Sequence, residues 1–248
     1  MKFSVKKLNP LFKVVRAILK FCYQRTEVIG LDSLPEEPLV IVGNHTQMHG
    51  PLVCEFYLPD NFYTWCAGEM MTFRDVPAYA YKDFWSEKSK KVRWFYKILS
   101  YLIAPLSVLI FNNARAIGVY HDTRILSTFK TTVSKLQNGE SIVIFPEHAE
   151  EHNHIVCEFT NRFVDIAKMY YKRCGKELLF VPSYIAPSLK KMYIGKGIRF
   201  CPDNQPDAER ERICSYLMDE ITRMAVELPR HKVVPYRNVP KKLYPYNK

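Results

Sequence analysis

A chain of 248 residues with 48% hydrophobic and 14% aromatic content has the length for one large domain or two small ones, and is too apolar to be disordered. Its net charge of +11 sits at the ends, since seven Lys/Arg and no acid fall in the first 26 residues (Lys2, Lys6, Lys7, Lys13, Arg16, Lys20, Arg25) and six and no acid follow Glu227 (Arg230, Lys232, Arg237, Lys241, Lys242, Lys248). Between them stand 23 basic and 25 acidic residues, so the body is nearly neutral. Basic ends suit nucleic acid or an anionic lipid surface. No nucleic-acid-binding motif is present, so no nucleic-acid partner is expected. Seven cysteines (Cys22, Cys54, Cys66, Cys157, Cys174, Cys201, Cys214) show neither CxxC nor regular spacing, and read as reduced thiols. No signal peptide is evident, because Lys13, Arg16 and Lys20 interrupt the first apolar stretch and no small-residue cleavage site follows.

Asn9-Pro10 has the chemistry of a helix start, with Asn as N-cap and Pro at the first helical position. Leu11, Val14, Val15, Ile18, Leu19 and Cys22 then recur at helical spacing, with Lys13, Arg16 and Lys20 on another face. Such a helix either lies in a membrane interface or packs on a core with its charges solvated. After a polar entry containing Pro35 and Pro38, Leu39 to Gly43 reads as a buried strand. A helix and a second strand around Phe62 to Ala67 are expected within 51–72. The uncharged run from Ile98 to Phe111 is 14 residues long and broken by Pro105, short of the roughly 20 that a spanning helix needs. It reads as a buried or interfacial hairpin, with Trp94, Tyr96 and Tyr101 suited to a headgroup boundary.

Further on, Ala116 to Val119 reads as a strand, Asp122 to Leu136 as a helix ended by Asn138-Gly139, and Ser141 to Phe145 as a strand. Arg162 to Arg173 reads as a helix, Leu178 to Val181 and Met192 to Phe200 as strands, and Ala208 to Leu228 as a long helix. The tail after Pro229, rich in Pro, Tyr and basic residues, is expected to drape over a surface. This alternation argues for a single α/β domain, a mixed central sheet flanked by helices, preceded by an N-terminal amphipathic helix. The expected divisions are residues 1–24 (basic, amphipathic, membrane-associating), 25–228 (the α/β domain) and 229–248 (the tail).

Chemistry concentrates at two strand ends, Asn44-His45 with His49-Gly50 after the first, and Phe145-Pro146-Glu147-His148 after the other. Open α/β sheets place their sites beyond the carboxyl ends of strands. A His there can deprotonate a hydroxyl near neutral pH, and does so best when a carboxylate fixes its tautomer. The run from Glu147 to His154 also offers imidazoles and carboxylates to a metal. It lacks a His-Glu-x-x-His pattern, so no metal is expected.

Asn44-His45 with four residues after it, Ile117-Gly118-Val119-Tyr120-His121, Phe145-Pro146-Glu147, and Phe180-Val181-Pro182, in this order and spacing, resemble the glycerol-phosphate and lysophosphatidic acid acyltransferase family. Tyr193 to Ile198 is similar to that family's late Gly-containing strand. The resemblance covers roughly residues 25 to 228 and implies direct transfer of an acyl group to an acceptor hydroxyl, without an acyl-enzyme. It implies His45 as the base, with Asn44, His49, Arg115, His121, Arg124, Phe145, Pro146 and His148 contributing to substrate binding. No cofactor is implied, because the acyl donor (acyl-CoA, acyl carrier protein or acyl phosphate) arrives activated. The implied setting is the cytoplasmic face of the cell membrane, held peripherally or monotopically on anionic lipid.

The chain departs from the family pattern where Gly50 replaces the Asp, His121 replaces an Arg, and His148-Ala149-Glu150 replaces Gly-Thr-Arg. In serine proteases, spoiling the carboxylate behind the catalytic His costs about 10⁴ in rate. His49, Glu147, Asp122 and a backbone carbonyl are the candidate substitutes, with Glu147 preferred as the second catalytic group. A changed acceptor and a non-catalytic lipid-binding or scaffold protein are both compatible with these departures.

Overall fold

The computed structural model describes residues 9–85, 89–120, 122–237 and 239–248. In chain order, helix α1 (Pro10–Cys22) precedes strands β1 (Glu27–Ile29) and β2 (Leu39–Gly43), then α2 (His49–Tyr57) and β3 (Phe62–Ala67). Next come α3 (Val76–Ala80), α4 (Arg93–Leu102), α5 (Ala104–Asn113), β4 (Ala116–Val119), α6 (Ile125–Gln137) and β5 (Ser141–Ile144). A hairpin of β6 (Glu147–Glu151) and β7 (Cys157–Phe159) leads to α7 (Asp165–Cys174), β8 (Leu179–Ala186), β9 (Lys191–Ile194), β10 (Ile198–Arg199) and α8 (Pro206–Glu227). The structure is mixed α/β, and it divides into two compact units: Met1–Gln24 with Cys66–Arg124, and Arg25–Trp65 with Ile125–Lys248.

The larger unit holds a sheet ordered β1-β9-β8-β2-β5-β3. Strands β8, β2, β5 and β3 run parallel, while β9 runs antiparallel to β8. Every residue of β2 and β5 is buried, which is why both read as continuous apolar runs rather than alternating ones. Helix α8 packs on β8 and α6 on β5. The expected single strand over 192–200 is two, β9 and β10, pairing with different parts of β8.

In the smaller unit, α3 and α5 enclose a core of Met70, Val76, Ala80 and Ala104. The run expected as a hairpin is instead a helix pair, α4 and α5, bent by 44°, because Pro105 opens the second helix and cannot continue the first. Among the described residues no single helix is long and apolar enough to cross a membrane. Helix α1 starts as its sequence dictates, with the Asn9 side chain accepting the Leu11 N–H at 2.9 Å. Its apolar stripe is not core: Leu11, Val14, Ile18 and Phe21 are exposed, and only Phe12 is buried.

The tail departs most from its expectation, being stitched into the larger unit by buried polar groups. Asn247 accepts the His231 N–H at 2.8 Å and donates to the carbonyls of Ala225 (2.7 Å) and Leu228 (3.1 Å), closing the end of α8. His231 Nδ1 faces the Pro229 carbonyl at 2.8 Å, so it donates there, and Nε2 accepts from the buried Tyr184 hydroxyl at 2.8 Å. Asn247→Ala leaves two buried backbone groups and one half-buried one without that partner, at about 1 kcal/mol net each. A fall in stability of about 2–3 kcal/mol is expected, or roughly 5–10 °C in Tm for a chain of this size. Thermal unfolding checks it, and an unchanged Tm contradicts the stitched tail.

Candidate functional site

Sheet register brings the two strand ends together. Val42 pairs with Ile144 in adjacent parallel strands, so three residues further along each chain His45 comes opposite Glu147. The main-chain N–H of His45 donates to Glu147 Oε2 at 2.5 Å, and the N–H of Cys157 donates to Oε1 at 2.9 Å. Glu147 was expected to orient the imidazole; it grips the backbone of His45 instead. Among the described residues, His45 Nδ1 is buried without a hydrogen-bond partner, and so are Thr46 Oγ1 and Ser183 Oγ. Glu147 is the first residue of strand β6.

The turn after β2 explains Gly50. Thr46 and Gln47 adopt left-handed φ values of 47° and 57°, a conformation that costs a β-branched residue of order 1–3 kcal/mol. This coils the chain back so that the Gly50 N–H reaches the His45 carbonyl at 3.1 Å. A Cβ on Gly50 would stand 2.5 Å from that carbonyl oxygen and 3.0 Å from Phe145 Cζ. The position is therefore closed to any side chain, not merely lacking an Asp.

Around the imidazole, Phe145 packs edge-on with ring centroids 5.3 Å apart, and Tyr236 of the tail does the same at 5.8 Å. Gln47 Nε2 donates to the Arg237 carbonyl (3.2 Å) and the Tyr244 hydroxyl (3.0 Å). The Arg237 guanidinium in turn donates to the Ala149 carbonyl. Sequence reasoning missed Tyr236, Arg237 and Tyr244. The tail's excess of Tyr and basic residues was the one available signal, and it carried no register.

Other expected residues fall into distinct roles. Asn44 is fully buried, accepting the Ile185 N–H at 2.7 Å and donating to its carbonyl at 3.1 Å. It extends the β2–β8 ladder by a side chain and is a structural clamp rather than a substrate contact. Phe145 forms the wall beside His45, and buried Pro146 offers its carbonyl to Thr160 N (2.9 Å) and Oγ1 (3.1 Å). His148 is half-buried on β6, with Nδ1 accepting the Glu150 N–H at 3.4 Å. His49, in the first turn of α2, has its pKa lowered by burial and then by the Lys241 charge. Arg115 and Arg124 belong to the smaller unit, where Arg124 pairs with Asp122 at 2.7 Å and stacks on Tyr120. His121 lies outside the described residues. Among the described residues no cluster of three or more His, Cys, Asp or Glu is arranged for a metal ion, and His152 of the polar run faces Glu158 at 2.8 Å.

Burial sets the protonation states. It pushes His45 down to about 4, so the ring is neutral at pH 7 and able to accept a proton. It pushes Glu147 up to about 7 against the pull of its two N–H donors. Burial, and then the Glu147 charge, pushes the Cys157 thiol up to about 11, which leaves it protonated and inert as a nucleophile.

No protein-family model matches the chain, and no curated protein does. Among solved structures, the chain is similar to the 1-acyl-sn-glycerophosphate (LPA) acyltransferase PlsC from Thermotoga maritima, at 15% identity and a TM-score of 0.46, over 86% of this chain and 80% of that one.

Two predictions follow from the geometry. Gly50→Asp is expected to destabilise by about 1–3 kcal/mol through overpacking and to give no gain in His45-dependent chemistry. Urea denaturation and activity assays check it, and a stable variant with higher turnover contradicts the closed turn. The second concerns pH. Between about 4.5 and 6.5 the unfolded chain carries a proton on residue 45 and none on 147, while the folded chain carries one on 147 and none on 45. Proton uptake is then equal in the two states, and this pair contributes a flat stability profile. Glu147→Gln removes one half of that balance. Its stability should fall relative to the unsubstituted protein by about 1.4 kcal/mol for each pH unit below 6.5, read from denaturation midpoints; parallel profiles contradict the assignment.

Proposed function

We propose that this chain is an acyltransferase that moves a fatty acyl group from an activated donor to a hydroxyl of a lipid acceptor. The observation that carries the proposal is the β2–β5 register, which sets a partly exposed, neutral His45 beside Phe145-Pro146-Glu147 at the carboxyl ends of the parallel strands of a mixed sheet. The motif order along the sequence, which resembles that of the glycerol-phosphate and lysophosphatidic acid acyltransferases, agrees with it. In the proposed reaction His45 Nε2 takes the acceptor hydroxyl proton as the oxygen attacks the acyl carbonyl. The thiolate or phosphate leaves, and the proton passes from His45 to the leaving group or to water. Glu147 holds the His45 main chain in place. Arg237 and Lys241 of the tail stand beside the site as the cations for an anionic acceptor headgroup.

We further propose that the smaller unit attaches the protein to the cytoplasmic face of a membrane. In α4, Trp94, Tyr101 and Leu102 are 66–70% exposed, beside Lys90, Lys91, Arg93 and Lys97. In α1, Phe21 is 91% exposed, with Lys13, Arg16 and Lys20 on the same helix. Aromatic and aliphatic side chains left in water next to cations fit the boundary of an anionic bilayer. A scaffold that binds lipid without catalysis is the second reading, favoured because, among the described residues, no carboxylate meets His45 Nδ1.

Incubation with labelled acyl-thioester or acyl-phosphate donors and a panel of lipid acceptors separates the two readings. Turnover that falls about 10²–10⁴-fold in His45→Ala, the range for a general base, supports the enzyme. Absence of turnover in the unsubstituted protein across the panel supports the scaffold. Membrane attachment is read by co-sedimentation with anionic and neutral vesicles. Leu102→Glu removes a side chain whose burial is worth about 1.5–3 kcal/mol, so binding to anionic vesicles should weaken at least tenfold. Unchanged binding contradicts the α4 surface.

A further inference from the structure

Three polar atoms at the end of β2, namely His45 Nδ1, Thr46 Oγ1 and Ser183 Oγ, are buried and unpartnered among the described residues. Most of the buried polar atoms nearby are satisfied, with Asn44 on Ile185, Glu147 on two amides and Tyr184 on His231. Orphans gathered in so well-paired a neighbourhood call for a shared partner. Ser183 is the unexpected member. It sits within β8, a strand central to the sheet, wholly buried and directly opposite Gly43.

Two of these groups border one aromatic ring. The point where a Cβ on Gly43 would stand is 2.4 Å from Ser183 Oγ and 3.4 Å from Phe145 Cε1. The same Phe145 ring lies against the His45 imidazole, with centroids 5.3 Å apart. Ser183 Oγ and the His45 imidazole thus both border the Phe145 ring, and Thr46 is the residue next to His45 along the chain. A buried water characteristically makes about three hydrogen bonds to groups otherwise unsatisfied.

We infer that one ordered water, held by Ser183 Oγ and Thr46 Oγ1, accepts the Nδ1–H of His45 and fixes the imidazole as the Nδ1–H tautomer, leaving Nε2 free for the acceptor hydroxyl. Ser183 and Thr46 are positioning residues that act through His45. The catalytic consequence rests on the proposed role of His45 as base; the hydrogen-bonding arrangement does not.

The test uses an isosteric pair. Ser183→Thr keeps the hydroxyl and Ser183→Val has the same branched shape without it, so packing effects cancel between them. In protein labelled with ¹⁵N-histidine, the unsubstituted chain and Ser183→Thr should show His45 with Nδ1 protonated and Nε2 bare at pH 7. Ser183→Val should shift toward a mixture of tautomers. In the acyl-transfer assay kcat should fall about ten- to a hundredfold in Ser183→Val, as misorientation of a reacting group does, with KM little changed and activity retained in Ser183→Thr. Identical His45 shifts in the two variants overturn the inference. A locked tautomer with no turnover in any form upholds the water and removes the acyltransferase reading. His45-dependent turnover that is equal in the two variants does the reverse. Should Ser183→Val fail to fold, a crystal structure of the unsubstituted protein decides: a water peak within hydrogen-bond distance of all three atoms is expected, and a dry site overturns the inference.

Discussion

One buried carboxyl group ties the site together. Glu147 stands just past β5, and its two oxygens take the main-chain N–H groups of His45 and Cys157. Through it the end of β2 and the starts of β6 and β7 are fixed to a single point. An ionisable group with almost no exposure to water is tolerable only when strong donors meet it. Two amides do so here, and the residue is held in place as firmly as it holds. The placement of His45 follows from this clamp and from the β2–β5 register, since its main chain is gripped while its ring remains partly open.

The clamp changes the meaning of the residue missing at position 50. A carboxylate one helical turn after His45 would orient the ring by its side chain. Here the turn is wound tightly by left-handed Thr46 and Gln47, and the backbone of His45 fills the space that a side chain at 50 would need. Orientation of the ring must therefore come from within the sheet or from the tail. The tail does contribute: Tyr236 packs on the imidazole, and Gln47 binds both Arg237 and Tyr244. Tyr236, Arg237 and Tyr244 of the tail thus belong to the structure of the candidate site.

Much of the sheet was legible because its physics is local. Leu39 to Gly43 and Ser141 to Ile144 are buried on both faces, so they read as short β-branched apolar runs. Asn9-Pro10 set the start of α1 through a capping bond. The meeting of the two strand ends could be expected because parallel neighbours share their carboxyl end. What was not legible depends on pairing at a distance. Nothing in Glu147-His148-Ala149-Glu150-Glu151 alternates between apolar and polar, so the β6 strand was hidden; it exists because β7 folds back on it. The tail has no periodicity, and its contacts become visible only when His231 and Asn247 find their partners. Glu147 was expected beside His45 and stands there, but it meets the main-chain amide and not the ring, because sequence spacing cannot tell a ring nitrogen from the amide of the same residue.

The central claim is that His45 serves a direct transfer in which no acyl group is ever attached to the protein. Intact-mass spectrometry during turnover, with a labelled acyl donor and lipid acceptors, tests it most directly. The account predicts labelled acylated acceptor while the mass of the protein stays unchanged throughout. Failure to form any acylated acceptor, or an acyl adduct on the chain that appears before the product, would contradict it.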